Sequence, residues 1–130
     1  MSGEPGFDYL SAEDLIEIAS GVIEGEVVVR DHGLLASAAA RPRTSAFGRD
    51  AYPEFTDQAA ALMHSLARNH ALIDGNKRLA WAATRVFCLL NRRDLKFGVD
   101  EAEGLVLAVA RGELDAAALA DVFGDHIVEN

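Results

Sequence analysis

Nine residues in the middle of the chain, His70-Ala-Leu-Ile-Asp74-Gly75-Asn76-Lys77-Arg78, bring together a base, a carboxylate, a glycine, an amide and two cations. An imidazole at His70 can take a proton from an attacking hydroxyl. Asp74 offers a hard oxygen, and a carboxylate beside phosphates is the usual way to hold Mg²⁺. The residues after it read as a helix start. The first turn of a helix leaves backbone N–H groups unpaired and carries a partial positive charge. Gly75 permits unusual dihedrals and close approach of a ligand. Asn76, Lys77 and Arg78 add an amide, a point cation and a forked cation, which completes a phosphate cradle at a helix N-terminus. Base, metal ligand and cradle within so short a stretch describe nucleotidyl or phosphoryl transfer.

Charge placement supports an anion there. The first turn of an isolated helix prefers Asp or Glu, so Lys77 and Arg78 make most sense with an anion between them. The protein is acidic overall, with net charge −9, yet residues 68–96 hold seven bases and two acids. Residues 1–40 and 97–130 each hold eight acids and one base. A basic middle between acidic ends points to one local anion site and away from a broad nucleic-acid surface. Solvated cations on an ordinary turn remain the plainer alternative. A transition-metal site on His70 and Asp74 would need more ligands, and His32, His64 and His126 show no supporting spacing.

The elements that must carry this segment are helical. Ser11 to Asp14 reads as a capping box, followed by apolar residues at helical spacing over 12–23, with Gly25 closing the helix. A short helix is expected from about Asp31 and must end at Pro42. Val27 to Val29 is too short to imply a sheet. Residues 41–55 form a long irregular loop with Pro42, Gly48, Pro53, Phe47, Tyr52 and Phe55, and a loop of this length suggests a lid or binding loop. Thr56 is the expected N-cap of a helix over 57–69. A helix over 76–90, nearly continuous in apolar residues, should be buried on most sides, with Asn91 as C-cap. Asp100 and Asp115 are expected to cap helices over 101–111 and 116–128, the first stopped by Gly112. Residues 1–10 read as a loose lead-in. The expectation is an all-α fold of five or six helices around a central one, with no sheet beyond a small hairpin in 26–55.

Length and composition bound the rest. With 130 residues and 50% apolar content, a single domain over 1–130 is expected. No run approaches the roughly 18 apolar residues of a membrane span, and the N-terminus has neither the basic start nor the apolar run of a secretory signal. Cys88 is the only cysteine. It excludes a disulfide framework or a cysteine zinc site within one chain, and a reducing, cytoplasmic setting fits.

His-x-x-x-Asp-Gly-Asn-Lys-Arg resembles the signature of the Fic/Doc superfamily, and is most similar to its death-on-curing (Doc) toxins. Tyr9 to Leu15, the Arg30-Asp31-His-Gly-Leu-Leu-Ala-Ser-Ala run with Arg41-Pro42, and Ala110 to Asp115 are similar too. The resemblance implies a compact helical bundle in which the motif loop leads into a central helix. It implies His70 as general base, Asp74 as the Mg²⁺ ligand, and Gly75, Asn76, Lys77 and Arg78 as the turn around the phosphates of ATP. AMP-transferring members typically read Gly-Asn-Gly-Arg with a further Arg three residues later. Lys77 and Trp81 stand in the places of that second Gly and that later Arg, which points toward Doc. The resemblance then implies the toxin of a toxin–antitoxin module, a protein kinase that moves the ATP γ-phosphate to a threonine of elongation factor Tu and stops translation. The alternatives are AMP transfer to a protein hydroxyl, and a non-catalytic nucleotide-binding regulator. An antitoxin, Phd-like or other, is the expected partner, with neither nucleic acid nor membrane.

Several positions complete the expectation. Gly75 stands where alanine is common in Doc proteins, Leu79 where threonine is, and Leu72 where an aromatic is. Loop 41–55 is the expected flap for a target chain pairing as a strand, with Phe55 assigned to the core. Trp81 and Phe87 are expected in the core, Cys88 as a buried packing residue, and Arg68 as a candidate reaching phosphate.

Overall fold

A computed structural model describes residues 6–130, so the first half of the expected lead-in lies outside the described residues. Six α-helices dominate. α1 (Ala12–Val22) starts on the expected capping box, with Ser11 Oγ accepting from Asp14 N at 3.0 Å and Asp14 Oδ2 from Ser11 N at 2.8 Å. α2 (His32–Ala40) is capped by Asp31 and runs into a single 3-10 turn over Arg41–Arg43 at Pro42. α3 spans Phe55–Arg68 and α4 Asn76–Leu90. α5 (Val99–Ala110) and α6 (Ala116–Gly124) complete the bundle, the latter capped by Asp115 as expected.

The fold is helical as read, with α3 and α4 packed side by side at its centre. α4 buries Leu79, Ala80, Ala83, Thr84, Phe87 and Cys88 but leaves Leu89 and Leu90 exposed at its end. α3 is buried more fully, with nine of its fourteen residues inside, four of them alanines. Small side chains let α4, α6 and α2 approach it closely. Phe55 and Phe87 stack with centroids 4.8 Å apart, joining α3 to α4.

Several expectations are corrected. Glu54, not Thr56, precedes α3 as its cap, because Asp57 accepts from Glu54 N at 3.2 Å. Gly98, not Asp100, starts α5, with Glu101 accepting from Gly98 N at 3.1 Å. The last helix stops at Gly124, four residues short of the expected end, because the chain turns to form a strand. β3 (Arg93–Leu95) pairs antiparallel with β4 (Ile127–Glu129), joining residues far apart in sequence. Three residues are too few for an alternation to register. Asp94 anchors this sheet to α4. The Arg85 hydrogen bond, aided by the Leu95 N–H and Lys96, holds its carboxyl down at about 2.

The described part of the lead-in is pinned, not loose. Leu10 is buried, Phe7 meets Phe55 edge-on at 5.0 Å, and Tyr9 stacks on Phe87. The Asn91 amide donates to Asp8 O and Phe87 O, linking this segment to the end of α4.

The expected hairpin is present. β1 (Ser45–Ala46) pairs with β2 (Arg49–Asp50) through a two-residue turn at Phe47 and Gly48, both with positive φ, the geometry that suits strand twist. Its base is clasped to α3. Arg41 Nε donates to Tyr52 Oη at 2.9 Å, while Arg41 Nη1 reaches His64 Nδ1 at 2.9 Å and Ser65 Oγ at 3.0 Å.

Candidate active site

The motif occupies the turn between α3 and α4, and each flank of that turn is fastened. Gly75 is the residue before α4, in left-handed conformation with φ 88°. A Cβ there would collide with the end of the Ile23 side chain, lying 2.7 Å from its Cγ1. The Gly75 N–H is turned to Asp74 Oδ1 at 2.9 Å. Leu79 N donates to Gly75 O at 2.9 Å, the first bond of the helix. Among the described residues, the N–H groups of Asn76, Lys77 and Arg78 find no carbonyl. They form a positively polarised concavity for an anion.

Asn76 departs from its expected part. Its carboxamide bonds the backbone of Leu72, accepting from Leu72 N at 3.0 Å and donating to Leu72 O at 2.9 Å. What it offers an anion is its backbone N–H and the one carboxamide hydrogen that Leu72 does not take. Lys77 and Arg78 are exposed, and among the described residues neither meets a carboxylate. Asp74 is exposed, with one oxygen engaged by Gly75 and a second available to a cation.

His70 closes the other end of the turn. It is exposed and left-handed, with φ 51°. Behind it, the chain from Val28 to Asp31 runs alongside the motif as an extended segment. Val29 and Leu72 form an antiparallel bridge, Arg30 N and Asp31 N donate to Ala71 O, and Ile73 N donates to Val28 O. Arg30 Nε donates to His70 O at 2.8 Å and Arg30 Nη2 to Asn69 O at 3.3 Å. Sequence reasoning gave Arg30 no part in the site. The available signal was its charge, since it is the one base among the first forty residues.

Beside the cradle lies a groove of about 660 Å³ between α4 and α5. Lys77 and Arg78 stand at it with Trp81, Phe97 and Val106. Trp81 is therefore half-buried on the groove wall, edge-on to Phe97 at 5.9 Å, not in the core as expected. Its place on α4, one turn beyond Lys77, turns it to the groove side, while Phe87 is in the core.

Arg68 is also corrected. Its guanidinium donates to Ala110 O at 2.9 Å and packs against Gly112, capping the end of α5. Cys88 is fully buried, and burial pushes its thiol up to about 12, so it supplies no nucleophile. Of the flap aromatics, Phe55 is in the core as expected, Tyr52 is held by Arg41, and Phe47 projects fully into solvent. No helix among the described residues is long and apolar enough to cross a membrane.

A family model described as the Fic/DOC family matches residues 9–88, from the end of the lead-in to the last turn of α4. The Toxin Doc of Mycolicibacterium smegmatis (strain ATCC 700084 / mc(2)155) is 50% identical over 115 residues, 87% of this chain and 88% of its own length. The matched region holds the whole of the turn from His70 to Arg78 and the Arg30 segment behind it. The chain belongs to the Fic/DOC family.

Proposed function

We propose that the protein is the toxin of a toxin–antitoxin module, and that it transfers the ATP γ-phosphate to a threonine hydroxyl of elongation factor Tu in the cytoplasm. The observation that carries a phosphate-transfer site is the cluster, at the start of α4, of N–H groups and cations that find no partner among the described residues, with His70 at the opposite end of the same turn. The similarity to Toxin Doc supports the toxin and, with it, an antitoxin as partner.

In this reading the N–H groups of Asn76, Lys77 and Arg78 and the two side-chain cations hold the triphosphate. His70 takes the proton from the threonine hydroxyl as its oxygen bonds to the γ-phosphorus. The bond from that phosphorus to the β–γ bridging oxygen breaks, and ADP leaves with the electron pair. Little covalent work falls to the protein, because phosphoryl transfer needs mainly positioning and charge neutralisation. Asp74 fits a divalent cation, with one oxygen fixed by Gly75 N and the other directed to solvent beside the cradle. Bound there, Mg²⁺ would neutralise phosphate charge. Lys77 and Trp81 favour phosphoryl over AMP transfer. A lysine in place of glycine takes room and adds charge where the phosphates must lie.

The test is intact-mass spectrometry of elongation factor Tu after incubation with the protein, ATP and Mg²⁺, with His70→Ala as control. A gain of about 80 Da that the control abolishes is expected for phosphoryl transfer. A gain of about 329 Da reassigns the chain to AMP transfer. No gain removes elongation factor Tu as the target. Growth arrest by the wild-type chain but not by His70→Ala would then mark a catalyst of another substrate, and equal growth a non-catalytic regulator.

A further inference from the structure

The strongest unassigned contact in the molecule is the one Arg30 makes with the turn that carries His70. Three consecutive carbonyls, those of Asn69, His70 and Ala71, all accept from this one residue. Arg30 Nη2 takes the first at 3.3 Å, Nε the second at 2.8 Å, and the Arg30 backbone N–H the third at 2.8 Å. The carbonyls that end a helix have no partner within it and carry partial negative charge. Arg30 reaches the end of α3 with the matching charge. Asp31, its neighbour, is committed to Leu34 N at 3.0 Å, and no carboxylate among the described residues pairs with Arg30. Among the described residues its guanidinium bonds only the Asn69 and His70 carbonyls.

The residue held this way needs holding. At φ 51°, His70 is left-handed, a conformation that few non-glycine residues adopt, histidine more often than most, and that costs free energy unless neighbouring contacts support it. On the far side of the turn Asn76 fixes Leu72, but nothing from that side bonds to the His70 backbone. A lysine could supply the charge, though not two N–H groups in a rigid plane.

We propose that Arg30 is the positioning residue of the site: its two guanidinium bonds fix the left-handed backbone of His70 and so aim the imidazole at the reacting hydroxyl. This rests on His70 being the base of the proposed transfer. Arg30 itself touches no reactant. Its loss therefore lowers the rate of transfer and leaves nucleotide affinity alone, since the α4 N-terminus does not depend on it.

The test compares the wild-type protein with Arg30→Met, which keeps the aliphatic stem, and Arg30→Lys, which keeps the charge. kcat for transfer is expected to fall about 100-fold in Arg30→Met, the scale of a misplacement of about 1 Å, with KM for ATP within about twofold. Arg30→Lys should recover less than about a tenth of the loss, because the fork is what matters. An independent readout needs no reaction: the His70 Cε1–Hε1 cross-peak in NMR of the free protein, identified by its disappearance in His70→Ala. It should be single in the wild type and shifted or split in both variants. An unchanged cross-peak in a folded variant overturns the proposal, and so does a shifted cross-peak with an undiminished rate. If the wild type transfers nothing, the reading of His70 as base fails, while the cross-peak still decides whether Arg30 sets its placement.

Discussion

The Asn76 carboxamide and the Leu72 backbone close a ring of two hydrogen bonds, at 3.0 and 2.9 Å, that ties the motif loop to the first residue of α4. Leu72 is 1% exposed, so removing the amide takes the partner from a buried N–H and a buried C=O. Asn76→Ala should cost about 1–3 kcal/mol through these unsatisfied groups. Asn76→Asp should do no better. It keeps an acceptor for Leu72 N but turns an anionic oxygen toward Leu72 O. Urea denaturation of both variants checks this, and a stability for either within error of wild type would contradict it.

Gly75 carries a different constraint. Its φ of 88° costs a non-glycine residue about 1 kcal/mol, and a Cβ would strike the tip of Ile23. Gly75→Ala should therefore destabilise by about 2–4 kcal/mol, adding overpacking to the backbone cost. Doc proteins commonly carry alanine at this place, so the conformation alone does not forbid it. Ile23 is the obstacle particular to this chain. The pair Gly75→Ala with Ile23→Ala should thus show positive coupling, costing less than the sum of the single changes. A thermal-melt double-mutant cycle with no coupling would remove Ile23 from the account.

The candidate site was legible as a group of residues because they lie within nine positions of one another, where types and spacing are visible together. The helices were legible from their apolar spacing, and Ser11 and Asp115 from short-range capping chemistry. What escaped depends on contacts made across the chain. Arg30 acts on residues 39 and 40 positions away, and β3 finds β4 more than thirty positions away. Arg68 read as a cation near phosphate until the fold brought Ala110 O to it. Asn76 read as an anion ligand, though the local geometry gives its amide to Leu72 four residues back. Trp81 read as core because it lies on the central helix, and only the position of α5 makes a groove beside it.

The hairpin clasp makes stability depend on pH. His64 Nδ1 lies 2.9 Å from Arg41 Nη1 and serves as acceptor only while the imidazole is neutral. Burial, then the Arg41 and Arg68 charges, lower its pKa below 6.5, and Asp115 at the start of α6 opposes them weakly. The unfolded chain therefore binds a proton that the folded chain resists. The contribution is complete above about pH 6.5 and is lost progressively as the pH falls below it. His64→Gln keeps an acceptor without the titration. Urea midpoints taken at pH 7.5 and pH 5 should fall more for wild type than for His64→Gln, and equal falls would exclude His64 as the cause.

Lys77 and Trp81 offer a test of what sets the reaction type. AMP-transferring members of the family carry glycine and arginine at these two places, and here both side chains line the groove beside the cradle. In the proposed transfer the lysine ammonium would neutralise the phosphates nearest it, and its bulk would exclude an arrangement that a glycine admits. Trp81, one turn further along α4, stands on the groove wall edge-on to Phe97, where in the proposed reading an arginine would present a second phosphate ligand. Lys77→Gly alone opens space but removes a cation, so its expected result is slower phosphoryl transfer with no new product. Lys77→Gly with Trp81→Arg restores both the space and the charge, and a product heavier by about 329 Da should then appear at the expense of the one heavier by about 80 Da. If the double variant loses phosphoryl transfer and gains no second product while ATP still binds, the orientation of the nucleotide is set outside these two residues. Val22, Phe97 and the α5 side of the groove would then be the next positions to exchange.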